Sequence, residues 1–249
     1  MNGYLKNLNK IEFVITDACT GRCKHCSEGE HKSVGERIKT EIAVDAVRRV
    51  SAEYKIETVM VFGGEPLLCV DAVCEIMNAA KQIGIPRRQI ITNGYFSKNA
   101  SEIRAVAKRL MECGVNDLLL SADAFHQETI PLEIVKTFAS EVKACGAPIR
   151  LQPAWLVSKE NVNPYNEKTV EILQSFRDLD ICIGEGNVIF PEGNAKKFLS
   201  EYFTNEIVKN PYAEDPTDVR CLSFSASGDV LDGNAYQSDI MEIIDGYTA

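Results

Sequence analysis

The sequence predicts an α/β fold, namely an incomplete (β/α)6 barrel of the TIM type that stays open on one side and carries a short C-terminal hairpin and helix. Two observations predict it. Short β-type runs alternate with helical stretches through residues 11–190, an order that favours parallel strands joined by right-handed crossovers. The alternation comprises six units, whereas a closed barrel of this kind needs eight. We therefore expect a crescent-shaped sheet with a lateral cleft.

The strands are predicted from short runs of apolar and β-branched residues, bounded by polar ones. They cover residues 11–16, 58–62, 89–92, 117–121, 149–156 and 181–190. Helical stretches follow the first five, at residues 40–54, 71–83, 99–113, 131–145 and 163–178. Gly114 and Gly146 suit helix C-caps, and Pro164 suits the first turn of a helix. A last short helix is predicted between residues 194 and 202.

The C-terminal part of the chain is predicted as an appendage of the same domain. We place the barrel core at residues 1–205 and the appendage at residues 206–249, because no linker richer in Pro, Gly or Ser than an ordinary loop separates them. Within the appendage, residues 219–225 and 229–232 resemble a hairpin joined through Ser227-Gly228.

Composition excludes several classes of function. The net charge is -9, from 27 basic and 36 acidic residues, and the chain has no Lys/Arg block, which argues against nucleic acid as a partner. Its apolar runs fall far short of the roughly 18 residues that cross a bilayer, so we expect no membrane span. The first ten residues lack the apolar region of a signal peptide, which predicts a cytoplasmic protein. Its nine cysteines then serve metal ligation or burial, not disulfides.

Three cysteines, Cys19, Cys23 and Cys26, come directly after the first predicted strand with the spacing C-x3-C-x2-C. In a β/α barrel this position lies on the face where active sites form. A structural zinc site takes four protein ligands, whereas a [4Fe-4S] cluster held by three cysteines leaves one iron open. The spacing alone also allows a zinc site completed by His25 or His31, a redox dithiol, or cysteines buried without a function.

A second motif, Gly63-Gly64-Glu65-Pro66, follows the second predicted strand on the same face. The two glycines let the backbone come close to a ligand, Glu65 offers an acceptor to an ammonium group, and Pro66 fixes the turn. Together, the cysteine spacing in GRCKHC and this GGEP turn resemble the radical S-adenosylmethionine (radical SAM) superfamily, and in particular its molybdopterin-biosynthesis and peptide-modifying (SPASM-like) branches.

The resemblance spans residues 11–190 and implies a cofactor and a first reaction step. Cys19, Cys23 and Cys26 would hold a [4Fe-4S] cluster, SAM would bind its open iron through amine and carboxylate, and reductive cleavage would yield a 5'-deoxyadenosyl radical that removes a hydrogen atom from the substrate.

The resemblance also implies contacts with SAM from the GGEP turn and from polar residues near the strand ends. The residues assigned to SAM are His25, Gly63, Gly64, Glu65, Pro66, Asn93, Ser121, Asp123 and Gln152. His25 would face the adenine, and Ser121 and Asp123 the ribose or the methionyl carboxylate. Asn93 and Asp123 suit helix capping equally well, and His25 suits an exposed loop. The sequence leaves the orientation of Arg150 open.

The substrate expected from the GRCKHC variant and the open cleft is a peptide or a natural-product intermediate. Cys221 resembles the opening of an auxiliary-cluster element of the peptide-modifying branch, but the matching later stretch, residues 231–234, contains no cysteine, which argues against such a cluster. The alternatives are a radical SAM enzyme that acts on a small molecule or activates a glycyl radical enzyme, and, from another class, a non-catalytic zinc-binding scaffold or regulatory protein.

An electron donor such as flavodoxin or ferredoxin is the other expected partner. The cysteine motif is surrounded by basic residues that suit an acidic donor or form a solvated loop of mixed charge. These residues are Arg22, Lys24, Lys32, Arg37 and Lys39.

Overall fold

The computed structural model describes residues 2–31, 33–203 and 210–249. Its strands are β1 (Lys10–Val14), β2 (Thr58–Phe62), β3 (Arg87–Thr92), β4 (Asp117–Ser121), β5 (Ile149–Gln152), β6 (Ala154–Leu156), β7 (Cys182–Ile183), β8 (Asn187–Ile189), β9 (Cys221–Phe224), β10 (Asp229–Val230) and β11 (Gly233–Asn234). Its α-helices are α1 (Thr40–Glu53), α2 (Val70–Ile83), α3 (Ala100–Glu112), α4 (Ala124–Gln127), α5 (Leu132–Ala144), α6 (Pro164–Gln174), α7 (Gly193–Phe198) and α8 (Ile240–Gly246). Among the described helices, none combines the length and the apolar character that crossing a membrane requires.

Seven strands form one parallel sheet in the order β7-β5-β4-β3-β2-β1-β9. The first five strands of the chain pair with their neighbours in sequence, so their carboxyl ends meet at one edge. The two outer strands, β7 and β9, do not pair with each other, and the sheet stays open. This confirms the predicted α/β partial barrel.

Alternation along the strands decides which face of the sheet carries the core. In β1, Ile11 and Phe13 are fully buried, whereas Lys10, Glu12 and Val14 are only partly covered. The buried side chains belong to one apolar cluster with those of α1, α2, α3 and α5. Since successive side chains of a strand point to opposite faces, the helices cover the face of β1 that carries Ile11 and Phe13.

The fifth and sixth predicted strands are each broken in two. Residues 149–156 divide at Pro153, which has no N–H for a sheet, and the N–H of Ala154 instead donates to Asp123 Oδ2 at 3.0 Å. Residues 181–190 divide near Gly186, whose φ is 84°. The second halves, β6 and β8, pair with each other in a separate two-stranded parallel sheet.

The predicted C-terminal hairpin forms between other residues. Residues 219–225 were paired with 229–232 in the prediction, but β9 instead pairs in parallel with β1, and the Phe224 ring lies 4.9 Å from that of Phe13. The hairpin consists of β10 and β11, and α8 follows it. The predicted boundary between residues 205 and 206 lies outside the described residues.

Candidate active site

The cysteine motif lies in the long connection between β1 and α1, at the carboxyl edge of the sheet. This connection returns on itself, because Thr16 pairs with Arg37 in an isolated antiparallel bridge and the N–H of Ile38 donates to Ile15 O. Within it, Cys19 and Cys23 are buried, and Cys26 is half-buried.

Two of the three thiols, those of Cys19 and Cys23, fit a metal centre by their placement and by the donors near them. A Cβ atom on Gly21 would lie 3.2 Å from Cys23 Sγ and 3.7 Å from Cys19 Sγ, so the two sulfur atoms flank one small space that only glycine leaves free. The N–H of Gly21 donates to Cys19 Sγ at 3.3 Å. Hydrogen bonds of this kind accompany the sulfur ligands of iron–sulfur clusters.

Burial makes these thiols difficult to ionise without a metal. It raises the pKa of Cys19 to about 11, with the Glu65 carboxylate adding to the effect, and it also raises the pKa of Cys23 and of Cys26. Because a metal ligand must be the thiolate, a bound cation supplies the charge that the protein itself does not provide.

The GGEP turn is joined to the cysteine loop by backbone hydrogen bonds. The N–H of Gly64 donates to Thr16 O at 2.7 Å, and the N–H of Glu65 donates to Ala18 O at 2.8 Å. A Cβ atom on Gly64 would overlap Ala18 O and lie 2.6 Å from Ala18 C. The second glycine of the motif is therefore required by the loop itself, which crosses directly over the turn.

The carboxylate of Glu65 accepts three hydrogen bonds from neighbouring residues. It is fully buried and accepts hydrogen bonds from the N–H of Leu67 at 2.9 Å, the hydroxyl of Thr92 at 2.6 Å and the N–H of Asn93 at 2.9 Å. Burial raises the pKa of Glu65 to about 7, although these hydrogen bonds oppose the shift. The side chain thus ties the end of β2 to the end of β3.

Asn93 links β3 to the cysteine loop. Its Nδ2 lies 3.6 Å from Cys19 Sγ and donates to the Thr20 hydroxyl at 3.2 Å. Its Oδ1 accepts from the N–H of Tyr95 at 2.8 Å. The sequence placed Asn93 near the cofactor, and the structure brings it beside the first cysteine of the motif.

Asp123 has the geometry of the helix cap that the sequence also allowed. It begins α4, a short helix that the sequence did not predict, and Oδ1 accepts from the N–H groups of Phe125 and His126. Oδ2 accepts from the N–H of Ala154 and lies 2.8 Å from His126 Nδ1. Burial acts to raise the pKa of Asp123, but the His126 ring and these donors prevail and hold it at about 2. A direct contact of Asp123 with SAM stays a prediction.

His25 lies against α4 instead of projecting from an exposed loop. Its ring is 4.7 Å from the ring of His126 and 5.0 Å from that of Phe125. Burial and the neighbouring His126 lower the pKa of His25 to about 4, so the ring is neutral at pH 7. Its Nδ1 is buried without a hydrogen bond to any described residue. Donor atoms of Cys23, His25 and His126 all lie within 4.8 Å of one another.

Ser121 and Gln152 end neighbouring strands, β4 and β5, and are paired in register. Ser121 is buried, and Gln152 donates to Asn187 Oδ1 at 3.1 Å. Both lie at the carboxyl edge, as predicted. Arg150, whose direction the sequence left open, makes two hydrogen bonds to the carboxylate of Asp117, at 3.1 and 3.2 Å.

The basic residues around the motif are mostly engaged within the chain. Arg22 donates to Cys19 O at 2.6 Å and to Gly21 O at 2.7 Å, so its guanidinium supports the loop. Lys24 pairs with Glu128 at 3.0 Å, and Lys39 lies over the Tyr236 ring. Lys32 lies outside the described residues. This placement favours the interpretation of a mixed-charge loop.

Two further side chains hold the cysteine loop: His31, which the sequence offered as a metal ligand beside the cysteines, and Asn194, which sequence reasoning missed. His31 Nε2 lies 3.1 Å from Cys26 Sγ, while its Nδ1 lies 2.8 Å from the carbonyl oxygen of Asp17. Because that carbonyl only accepts, Nδ1 carries the proton and Nε2 faces the thiol. Asn194, near the start of α7, donates to the loop backbone. No local pattern around Asn194 signals this contact, although Gly193-Asn194 does follow the sixth predicted strand.

Comparison with known proteins gives a consistent result for the family. The model of the radical SAM superfamily matches residues 13–192. A probable GTP 3',8-cyclase of Methanocaldococcus jannaschii is 28% identical over 123 residues, which make up 49% of this chain and 39% of that protein. The GTP 3',8-cyclase of Limosilactobacillus fermentum is 33% identical over 121 residues, 47% of this chain and 34% of that protein. The matched region spans well under half the length of either relative.

Solved structures share the fold along nearly the whole chain. Streptococcus suis SuiB bound to S-adenosylmethionine superposes with a TM-score of 0.63 at 13% identity, covering 99% of this chain and 67% of SuiB. SuiB bound to the precursor peptide SuiA gives 0.64 at 12% identity, with coverage of 98% and 65%. BtrN in complex with AdoMet and 2-DOIA gives 0.50 at 17% identity, with coverage of 96% and 82%. At these identities the likeness establishes the fold.

Proposed function

This chain belongs to the radical SAM superfamily, whose enzymes use a [4Fe-4S] cluster and S-adenosylmethionine, and we propose that it removes a hydrogen atom from a peptide or natural-product substrate after reductive cleavage of SAM. The observation that carries the proposal is the junction of its two motifs. The cysteine loop and the GGEP turn are joined at the carboxyl edge of the sheet by the hydrogen bonds from Gly64 to Thr16 and from Glu65 to Ala18.

The cluster is assigned to Cys19, Cys23 and Cys26. Their sulfur atoms lie on one loop, two of them flank the space at Gly21, and N–H groups of Gly21 and Asn93 point at Cys19 Sγ. When bound, the cluster supplies one electron and an open iron for SAM. The protein's part is to hold three thiolates in a mostly buried pocket, which limits access of water and oxygen.

SAM is assigned to the edge formed by the ends of β2 to β5. The acceptors proposed for the ammonium of SAM in the GGEP turn are the carbonyl oxygens of Gly63 and Gly64 and the Glu65 carboxylate, whose Oε2 accepts only from the N–H of Asn93. We assign Ser121 and Gln152 to polar contacts with the cofactor and His25, neutral at pH 7, to the adenine. Asp123 fixes the ring of His126, which lies beside His25, and in this way it contributes to the proposed cofactor site.

A peptide or natural product is favoured as substrate by the open sheet. A sheet that does not close leaves its cleft accessible from the side between β7 and β9, which admits a chain too large for a closed barrel. SuiB, whose fold covers 98% of this chain, binds a precursor peptide. The sequence relatives instead are GTP 3',8-cyclases, which makes a nucleotide the second candidate substrate. Activation of a glycyl radical enzyme is a third candidate.

The other class of function is zinc binding without catalysis. It is favoured by two observations: donor atoms of Cys23, His25 and His126 lie within 4.8 Å of one another, and His31 Nε2 lies 3.1 Å from Cys26 Sγ. Such a set with one water or one further thiolate would satisfy tetrahedral zinc. Elemental analysis separates the two classes, because a [4Fe-4S] protein carries about four irons and a structural zinc site about one zinc per chain.

The test is an anaerobic assay of cluster content and SAM cleavage. The wild type is compared with a triple variant in which Cys19, Cys23 and Cys26 are changed to Ala, and with a control in which Cys69 and Cys182, outside the loop, are changed to Ala. After reconstitution, we expect iron, sulfide and dithionite-dependent 5'-deoxyadenosine from the wild type and the control only. Zinc without iron in the wild type would contradict the proposal.

The substrate class is tested with deuterium. Peptides labelled with deuterium and unlabelled GTP are offered to the loaded enzyme, and the products are analysed by mass spectrometry. Transfer of deuterium from a peptide to 5'-deoxyadenosine supports the peptide assignment. Conversion of GTP in the absence of any peptide reaction would overturn it in favour of nucleotide chemistry.

A further inference from the structure

The cysteine loop is held by a turn that belongs to neither motif, at Gly193-Asn194 at the start of α7. We propose that Asn194 is a positioning residue for the cluster: it fixes the backbone of Cys23 and Cys26, and with it the direction of their sulfur atoms. The inference rests on the proposed function, because it assigns a role toward the same cluster.

Asn194 binds the loop through every N–H group that it has. Its backbone N–H donates to Cys26 O at 2.9 Å. Its side-chain Nδ2 donates to Cys23 O at 3.0 Å and to Gly29 O at 3.0 Å. The residue is 8% exposed, so its donor groups have little access to water. Two of the three carbonyls belong to proposed ligands, and the third lies just beyond them.

Gly193 shows how closely the turn approaches the loop. Its φ is 50°, a conformation that side chains rarely adopt. A Cβ atom there would overlap Ser27 O and lie 2.5 Å from Cys26 O. Further along α7, Lys197 pairs with Glu30 at 2.6 Å. Residues 193–197 therefore contact the cysteine loop along residues 23–30, and Asn194 makes most of the hydrogen bonds of this contact.

Next to the turn, the chain packs into a second apolar cluster. Ala195 and Leu199 are buried in a small apolar cluster that is separate from the main core. Phe125, which lies 5.0 Å from the His25 ring, belongs to the same cluster. This cluster joins α7 to β6, β8 and α4, so the turn that carries Asn194 is also held by contacts outside the cysteine loop.

Removal of the side-chain donors has a specific consequence. In Asn194→Ala, the carbonyls of Cys23 and Gly29 lose their donors, while the backbone N–H of residue 194 still binds Cys26 O. In Asn194→Asp, the shape is kept but a carboxylate oxygen faces both carbonyls, which is repulsive. Asn194→Gln retains the two donors on a longer side chain. The expected order of cluster retention is wild type, Gln, Ala, Asp.

The experiment measures the release of iron from the loaded protein to a ferrous chelator under anaerobic conditions. We expect iron release at least tenfold faster from Asn194→Ala and Asn194→Asp than from the wild type. The rate for Asn194→Gln should lie between that of the wild type and those of the other two variants. The EPR spectrum of the reduced cluster, with and without SAM, reports on its geometry and should differ from wild type in the Ala and Asp variants.

A matched control separates positioning from general destabilisation. Asn116 lies at the amino edge of the sheet, opposite the cysteine loop, where its Nδ2 donates to Pro86 O at 2.8 Å and its Oδ1 accepts from the N–H of Arg88 at 2.8 Å. We expect Asn116→Ala to lower stability in urea while iron release stays within twofold of wild type and the EPR spectrum is unchanged.

The outcomes are distinguishable. Iron release and EPR spectra at wild-type values in folded Asn194→Ala and Asn194→Asp overturn the positioning role of Asn194, and so does equal acceleration in Asn116→Ala. If Ala and Asp do not fold, release from Asn194→Gln at the wild-type rate overturns it, and a rate raised more than twofold supports it. Failure of the wild type itself to bind iron and sulfide overturns the proposed function instead.

Discussion

Gly64→Ala is expected to separate the two motifs of the active site. The added Cβ would overlap the carbonyl of Ala18 and lie 2.6 Å from its carbon, and overpacking of this kind costs about 1 to 3 kcal/mol. Moving the turn away stretches the hydrogen bonds from Gly64 to Thr16 and from Glu65 to Ala18, each worth about 1 kcal/mol. The free energy of unfolding should fall by about 3 to 5 kcal/mol.

Urea unfolding of the metal-free protein measures this change, and iron content after reconstitution measures its effect on the loop. Gly3→Ala is the matched control, because nothing lies within 4 Å of a Cβ at that position. We expect the control to unfold and to load iron as the wild type does. An unfolding free energy for Gly64→Ala within 1 kcal/mol of wild type, with full iron loading, would refute the argument from the crossing of loop and turn.

Three further predictions concern side chains around the site. Burial raises the pKa of Glu65 from 4.5 to about 7, so its contribution to stability is complete below pH 4.5 and is lost as the pH rises through 7. Over that range the unfolding free energy of the metal-free protein should fall by about 3 kcal/mol because of this group. Urea titrations at several pH values measure the fall, and Glu65→Gln should lack it. His126 and backbone donors hold the pKa of Asp123 at about 2, although burial acts to raise it. The carboxylate therefore stabilises the fold above pH 3.8 and loses that effect toward pH 2. Asp123→Asn should lower the unfolding free energy by about 2 to 4 kcal/mol at pH 7; a decrease of less than 1 kcal/mol in urea unfolding would contradict the role given to these hydrogen bonds. Cys182 is exposed on β7, so Cys182→Ser should keep full iron content and change stability by less than about 0.5 kcal/mol, whereas a clear loss of iron would place a fourth cysteine at the cluster.

Much of the fold follows from local patterns, and the exceptions have local causes as well. The strands of the first four units were predicted within a few residues, because buried parallel strands are short apolar runs with polar ends. The division of residues 149–156 depends on Pro153, whose missing N–H was visible in the sequence. Its consequence depended on the third dimension, since Asp123 takes the N–H of the next residue.

The site was predictable where a motif is contiguous and not where it is assembled. Cys19 and Gly64 were placed at the same edge of the sheet because both follow strands of parallel type. The hydrogen bonds by which Glu65 joins β2 to β3 could not be predicted, because their donors, Thr92 and Asn93, come from another strand end. Asn194 reaches the loop across 171 positions of sequence, so no periodicity or spacing could have indicated it.

The pairing of β9 with β1 sets an order of events during folding. It joins Lys10 to Cys221 and Phe13 to Phe224, so the strand that leads into the cysteine loop gains its second neighbour only after more than two hundred intervening residues have been synthesised. Contacts so distant in sequence form slowly, because the entropy of closing the chain is lost before they are made. Until then one edge of β1 stays unpaired beside the cysteine loop, and we expect iron delivered to the nascent chain to meet a loop that is still incompletely supported.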